Sequence, residues 1–481
     1  MMSRGTVKID LKGRHVVPGF NDCHTHFVQM GVDSTTVDLS CTGSLDEALA
    51  LIRKASVKIP EGNWLVATGW RESAWPDGRF ISKRDLDKCC PGRPAVAYRI
   101  CGHLCSVNSK AFSELSMDSN TPGAEVTPGG ELTGILTEGA VGVCRNATNP
   151  DAKARLAGLE AATRKAHKLG VTSVTDNGST EDLATYMSAA RAGTLEVRVS
   201  FNMPSSSFES IRSMGISTGL GDQWLRLGGL KIFCDGALGA RSAALSKPYA
   251  DELGNRGMFV RERSALDELT ARANEAGLQL AIHAIGDMGI EAAIQSIASA
   301  LKSNPRKDHR HRIEHLELPT SAHLRKMRSL GLVASMQPNF IGEWGGMEGM
   351  YRARLGIART RRNNPFREVL DNGVKLVFGS DCMPFSPLYG MVSAADAPFP
   401  SQQISPLEAL AAYTRDAAYS SFEEDAKGTL QPGKMADFVV LSADPVSREG
   451  LRSQSILMTV VGGRIVYRQR PDGRGVRENA L

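Results

Sequence analysis

From Asn149 onward the chain repeats one pattern. A stretch with apolar positions at helical spacing meets a stop signal, then a short run dense in apolar and β-branched residues ends on a polar one. Asn149-Pro150 reads as an N-cap followed by proline at the first helical position; the helix it opens runs to Leu169 and Gly170 closes it. The strand VTSVTD follows and ends at Asp176. Helix 181–192 then leads to EVRVSFN, ending at Asn202, and a further helix leads to LKIFCD, ending at Asp235. Helix 265–276, closed by Gly277, leads to LQLAIHA with His283, and helix 288–303 leads to RIEHL with His315. Helix 321–330, closed by Gly331, leads to VASMQP with Gln337, and helix 366–371 leads to LVFGSD with Asp381. Residues 16–27, VVPGFNDCHTHF, supply one earlier strand, which brings the count to eight. Strand and helix in alternation imply a parallel sheet of the α/β class, and eight such units imply closure into a (β/α)8 TIM barrel.

Two regions fall outside the repeat. Residues 31–149 hold a helix over 44–55, the apolar stretch WLVATGW at 64–70, another at 95–100, and a Gly/Pro-rich passage over 122–134. A connection of that length reads as an inserted subdomain after the first strand, a lid over whatever the strand faces. Residues 428–468, GTLQPGKMADFVVLSADP and then ILMTVVGGRIVYR, give two or three strands with a Gly-Gly turn, outside the barrel. The expected division is therefore 1–15 as N-terminal strands of a reduced β-sandwich, 16–427 as the barrel with its insertion 31–149, and 428–481 as the C-terminal sandwich strands.

Charge narrows the partners. Lys and Arg total 57 against 52 Asp and Glu, and an excess of five in 481 residues gives no case for a nucleic-acid or membrane partner. The chain has no apolar run long enough to span a bilayer and no signal-peptide pattern at its start, so a cytoplasmic location is expected. Nine cysteines at irregular spacing suit free thiols rather than a disulfide framework; a small Cys/His zinc site around Cys101, His103 and Cys105 is the other reading.

The polar residues of the barrel strands carry the chemistry. His24 and His26 alternate along a strand and so share a face, which makes them half of a metal site or two solvated histidines. Catalytic groups in this fold sit at the C-terminal strand ends, and there His24, His26, Lys231, His283, His315 and Asp381 fall on one rim. A lone histidine at a strand end is more often hydrogen-bonded than ligating; an ordered set of six points to one pocket.

These stretches together resemble the amidohydrolase superfamily, in the branch of large metal-dependent hydrolases that includes the bacterial YtcJ-like proteins and the N-substituted formamide deformylases. The matching segments are DLKGRHVVPGFNDCHTHF, GHLCSVNSKAF, GGELTGILTEGA, GVTSVTDNG, GGLKIFCDGALGARSA, AIHAIGD, HRIEHL, SMQPNF, FGSDCMPFSP and GTLQPGKMADFVVL, spread from about residue 10 to 468. The resemblance implies one or two divalent ions, usually zinc, held by His24, His26, a carboxylated (carbamylated) Lys231, His283, His315 and Asp381. It implies hydrolysis of a carbon–nitrogen amide-type bond of a small molecule by metal-activated water, with Asp381 as general base and acid. Against this stand an uncarboxylated Lys231 paired with a carboxylate such as Asp235, ring deamination or another reaction in the same superfamily, and a non-catalytic assembly protein. His103 and Glu138 lie in shared motifs and are expected at the substrate, or else packed within the insertion and facing water. His167 and His323 read as surface residues of outer helices, and His309 and His311 as outside the site. Family members usually carry more strands before DLKGRHVVPGF, so the sandwich is expected to be reduced or the start truncated; an open sheet edge favours association, a homodimer being one form of it, or poor stability.

Overall fold

The computed structural model describes residues 8–34, 36–57, 59, 63–72, 75–99, 104–137, 139–469 and 475–476. Its centre is an eight-stranded sheet of β1 (Phe20–Thr25), β2 (Val171–Asn177), β3 (Arg198–Pro204), β4 (Leu225–Phe233), β5 (Leu280–Ala284), β6 (Arg312–His315), β7 (Val333–Met336) and β8 (Lys375–Phe378), hydrogen-bonded in chain order. Every pairing in it is parallel. The strands are buried along almost their whole length, as expected where helices cover one face and packed side chains fill the other.

Local signals set the helices between strands. Ser179 and Thr320 form capping boxes for Thr180–Arg191 and Ser321–Leu330, and Gly331 ends the latter in the left-handed region at φ 68°. Helix Ala152–Lys168 starts later than Asn149-Pro150 suggests: the Asp151 carboxylate accepts from the Ala154 N–H at 2.7 Å, and Asn149 instead accepts from Arg155.

The circuit closes at a seam between β8 and β1. The Ser380 N–H donates to the Asp22 carboxylate at 2.8 Å, the His24 N–H donates to the same oxygen at 3.2 Å, and the Asp381 N–H donates to the His24 carbonyl at 2.8 Å. Gly379 permits this approach, since a Cβ there would lie 2.3 Å from the His24 nitrogen.

Strand His15–Pro18 belongs to a second sheet. It pairs antiparallel with Phe438–Leu441, and the order continues through Ile456–Val461, Arg464–Gln469 and Gly475–Val476. Among the described residues the chain ends thus form one five-stranded antiparallel layer, with Gly462 and Gly463 at positive φ in its hairpin turn. The chain leaves this layer at Pro18 and enters the barrel at Phe20; Gly19 fits the crossing because a Cβ there would overlap the Thr172 side chain.

Two compact units divide the chain: residues 1–28 with 162–481, and residues 29–161. The smaller unit has its own six-stranded sheet, built from Val37–Asp38, Leu65–Trp70, Ala95–Arg99, Leu104–Val107, Leu132–Thr137 and Ala124–Val126 in spatial order. Its own core packs Trp70, Trp75, Ile52 and Leu86. No helix of the described residues is long and apolar enough to cross a membrane, and their eight cysteines are all free.

Candidate metal centre

Strand ends bring the six barrel residues to one rim. The Nε2 atoms of His24 and His26 lie 3.8 and 3.3 Å from Asp381 Oδ1, and Lys231 Nζ lies 3.2 Å from His24 Nε2. The His315 ring centroid stands 4.8 Å from that of His24 and 4.4 Å from that of His283. His24, His315 and Asp381 form the tightest group, each offering one ligand atom with all three atoms within 4.8 Å of one another.

The backbone is bent to present these groups. His315 and Leu316 have φ of 73° and 50°, and Asp381 and Cys382 have φ of 50° and 62°. Non-glycine residues rarely enter that region, and clusters of them mark sites where the fold imposes a conformation. At β6 the consequence is specific: strict alternation would send Glu314 and His315 to opposite faces, yet both meet the His24 ring, Glu314 at Nδ1 and His315 from the side.

Hydrogen bonds define which nitrogen of each ring carries the electron pair. His24 Nδ1 is 2.5 Å from Glu314 Oε2, His315 Nδ1 is 2.8 Å from Gln337 Oε1, and His283 Nε2 is 3.1 Å from the Gly236 carbonyl. Each partner is an acceptor, so each of those nitrogens carries the proton, leaving Nε2 of His24 and His315 and Nδ1 of His283 as bases. Burial, then the nearby Lys231 charge, lowers the pKa of His24 and takes that of His283 to about 3; burial and the neighbouring rings hold His315 well below the usual histidine range. All three are therefore neutral, the state in which imidazole binds a metal.

Lys231 does not pair with Asp235. That carboxylate accepts from the backbone N–H groups of Ala244, Ile285 and Gly286, and burial pushes its pKa up to about 7. Among the described residues no carboxylate stands within 4.0 Å of Lys231 Nζ, which lies 5.1 Å from the Phe233 ring centroid; burial brings its pKa down to about 8.

Other expectations fare differently. His103 and Glu138 lie outside the described residues, as does Cys101. His167 and His323 are buried, contrary to their reading as surface residues. His167 Nε2 bonds the Glu196 carbonyl at 2.9 Å, and His323 accepts the Thr320 N–H at its helix start and meets Glu291 at 2.8 Å. Both polar ends are used locally, which is what lets helical histidines be buried.

Glu314 and Gln337 stand at the centre beside the six residues expected there. An Arg and a Glu two apart in the strand RIEH share a face, and such a charged pair inside a buried strand is the signal that points to the first. Gln337 ends its strand on the polar position that His283 and His315 occupy in theirs, and that position is its signal.

With this geometry in view, residues 8–467 match the family described as "Amidohydrolase family". The chain is 30% identical to the protein LONG AFTER FAR-RED 3 of Arabidopsis thaliana, over 96% of this chain and 84% of that protein. It is 28% identical to the N-substituted formamide deformylase of Arthrobacter pascens, over 95% of this chain and 89% of that protein. Among solved structures, a metal-dependent hydrolase of Pyrococcus furiosus superposes with a TM-score of 0.78 at 29% identity, covering 91% of this chain and 89% of that one.

Proposed function

Because the chain belongs to the amidohydrolase family and is a metal-dependent hydrolase of carbon–nitrogen bonds, we propose that it cleaves a non-peptide amide of a small molecule, with His24, His26, Lys231, His283, His315 and Asp381 holding one or two divalent ions. The observation that carries this reading is the convergence of ligand atoms from His24, His315 and Asp381 within 4.8 Å at the barrel rim.

The donor set fits such an ion. Neutral imidazoles with defined electron pairs beside a carboxylate suit zinc and its first-row neighbours, and zinc is the ion we expect. Lys231 fits as a carbamate: an amine with its pKa lowered to about 8 has a neutral form that can add carbon dioxide, and the product replaces a cation among imidazoles by two oxygen donors. A divalent ion bound there supplies Lewis acidity and a nucleophilic water near neutral pH.

The chain's own groups do the rest. Asp381, partly open to the pocket and 3.3 Å from His26 Nε2, takes the proton of the attacking water and delivers it to the leaving nitrogen. Phe233 and Phe340 flank His283 and His315 with ring centroids at 5.1 and 6.2 Å, and their apolar surface lowers the local dielectric and strengthens every charge interaction at the centre. The relative named for N-substituted formamides makes those compounds the first class to assay.

Metal content per chain, wild type beside Lys231→Ala, with N-substituted formamides and N-acyl amines assayed in the same samples, tests this reading. Near two ions in wild type and one or fewer in the variant, with activity lost, is the expected result. Folded wild-type protein that takes up no ion would overturn it.

A further inference from the structure

The hydrogen-bonding behind the ligand candidates is unequal, and the inequality centres on Glu314. Its Oε2 sits 2.5 Å from His24 Nδ1 and accepts from the Ser335 hydroxyl at 2.8 Å. The Arg312 guanidinium grips the same carboxylate, Nε to Oε1 at 2.7 Å and a terminal nitrogen to Oε2 at 3.1 Å. That terminal nitrogen also reaches Ser335 Oγ at 2.8 Å and the Cys23 carbonyl, the residue before His24, at 2.7 Å. The group thus ties β1, β6 and β7 together in the barrel interior, it is fully buried, and none of its polar side-chain atoms lacks a partner.

The other rings are held more weakly. His315 Nδ1 meets a neutral amide, His283 Nε2 meets a backbone carbonyl, and the His26 side chain is 44% exposed. A carboxylate that accepts from one imidazole nitrogen raises the basicity of the other more than a neutral acceptor does. The Arg312 guanidinium donates to both Glu314 oxygens, a two-point arrangement that keeps the carboxylate an acceptor.

We propose that Glu314 is a positioning residue that holds His24 in the Nδ1-protonated tautomer with its Nε2 electron pair aimed into the centre, and that Arg312 and Ser335 hold Glu314 for that task. The proposal rests on His24 being a metal ligand. It makes His24 the strongest imidazole donor of the set and the imidazole anchor of its tightest ion. The competing role for Glu314 is to neutralise Arg312, which would leave the state of His24 indifferent to it.

The test uses full-length protein stripped of metal. Zinc affinity is measured by competition with a chromophoric chelator, and the His24 tautomer by nitrogen-15 NMR of the imidazoles, for wild type, Glu314→Gln, Ser335→Ala and His24→Ala. Glu314→Gln is expected to weaken the tightest site about 10- to 100-fold and to leave His24 as a mixture of tautomers. Ser335→Ala, which keeps both buried charges and serves as the second variant should Glu314→Gln fail to fold, is expected to shift both readouts the same way by a smaller factor. Wild-type affinity with His24 still protonated at Nδ1 in the folded variants would overturn the proposal while the ligand reading stands. Unchanged affinity in His24→Ala would overturn both.

Discussion

His311 lies four residues before His315 and is buried like it, but its ring is spent on the fold. Nδ1 accepts the Leu280 N–H at 3.1 Å and Nε2 meets the Asn274 side-chain carbonyl at 3.0 Å, an arrangement only the neutral ring can make. Burial, then the neighbouring His309, holds its pKa well below the usual value. The sign follows directly: below about pH 6.5 the unfolded chain binds a proton that the folded chain refuses, so the stability present above that pH declines as pH falls toward the folded value. Urea unfolding at pH 7.5 and 5.5 should show a lower midpoint at the acid pH, and a smaller drop in His311→Asn than in wild type; equal drops would rule His311 out as a source. At this scale the sequence shows which residues are chemically able, but not what each one touches. His24 and His26 are legible as a pair because strand alternation aims both. The Arg312–Glu314 pair marks Glu314 but does not place it at the centre, because alternation assigns it to the face opposite His315 and the positive φ of His315 is what brings both onto the His24 ring.

At the scale of elements, the seam between β8 and β1 joins fold to chemistry. Gly379 lets Asp381 reach the His24 carbonyl, and the Asp22 carboxylate clips both sides. Gly379→Ala forces a methyl group into the His24 backbone, an overpacking that costs about 1–3 kcal/mol and displaces His24. Chemical denaturation should read that loss, and zinc affinity should fall with it; unaltered stability and affinity would show that the seam can relax. The barrel's helices are legible where a capping serine or threonine opens them or a left-handed glycine follows them, as at Thr180–Arg191 and Ser321–Leu330. Residues 29–161 are harder to read although Ser44, Ser82 and Asn108 cap helices there. Their strand Leu132–Thr137 contains Gly134 at φ 102°, where a side chain would strike the Lys83 backbone at 2.4 Å, and Val37–Asp38 and Ala124–Val126 are too short to show a period.

For the whole molecule, the question is how the chain ends attach to the barrel. Arg198 at the start of β3 and Asp437 at the start of the terminal sheet form a buried two-point ion pair at 2.6 and 3.0 Å, and Asp437 also accepts the Gly462 N–H of the hairpin turn at 2.7 Å. Removing one partner of a buried pair leaves a charge without compensation, at a cost of about 3–5 kcal/mol. Asp437→Ala should therefore unfold at markedly lower denaturant, and a loss under about 1 kcal/mol would show the pair to be solvated. This attachment joins residues more than two hundred apart, and a single sequence carries no signal for such pairing; the Gly-Gly hairpin was legible, its docking was not.

Metal-dependent cleavage of a carbon–nitrogen bond at the barrel rim is most directly tested by amine release. N-substituted formamides and N-acyl amines are offered to protein stripped by a chelator, to the same protein reloaded with zinc or manganese, and to reloaded Asp381→Asn. No release from stripped protein, recovery on reloading and loss in Asp381→Asn by about a hundredfold or more is the expected result. Equal release with and without metal, or none from reloaded protein across the whole panel, would contradict it.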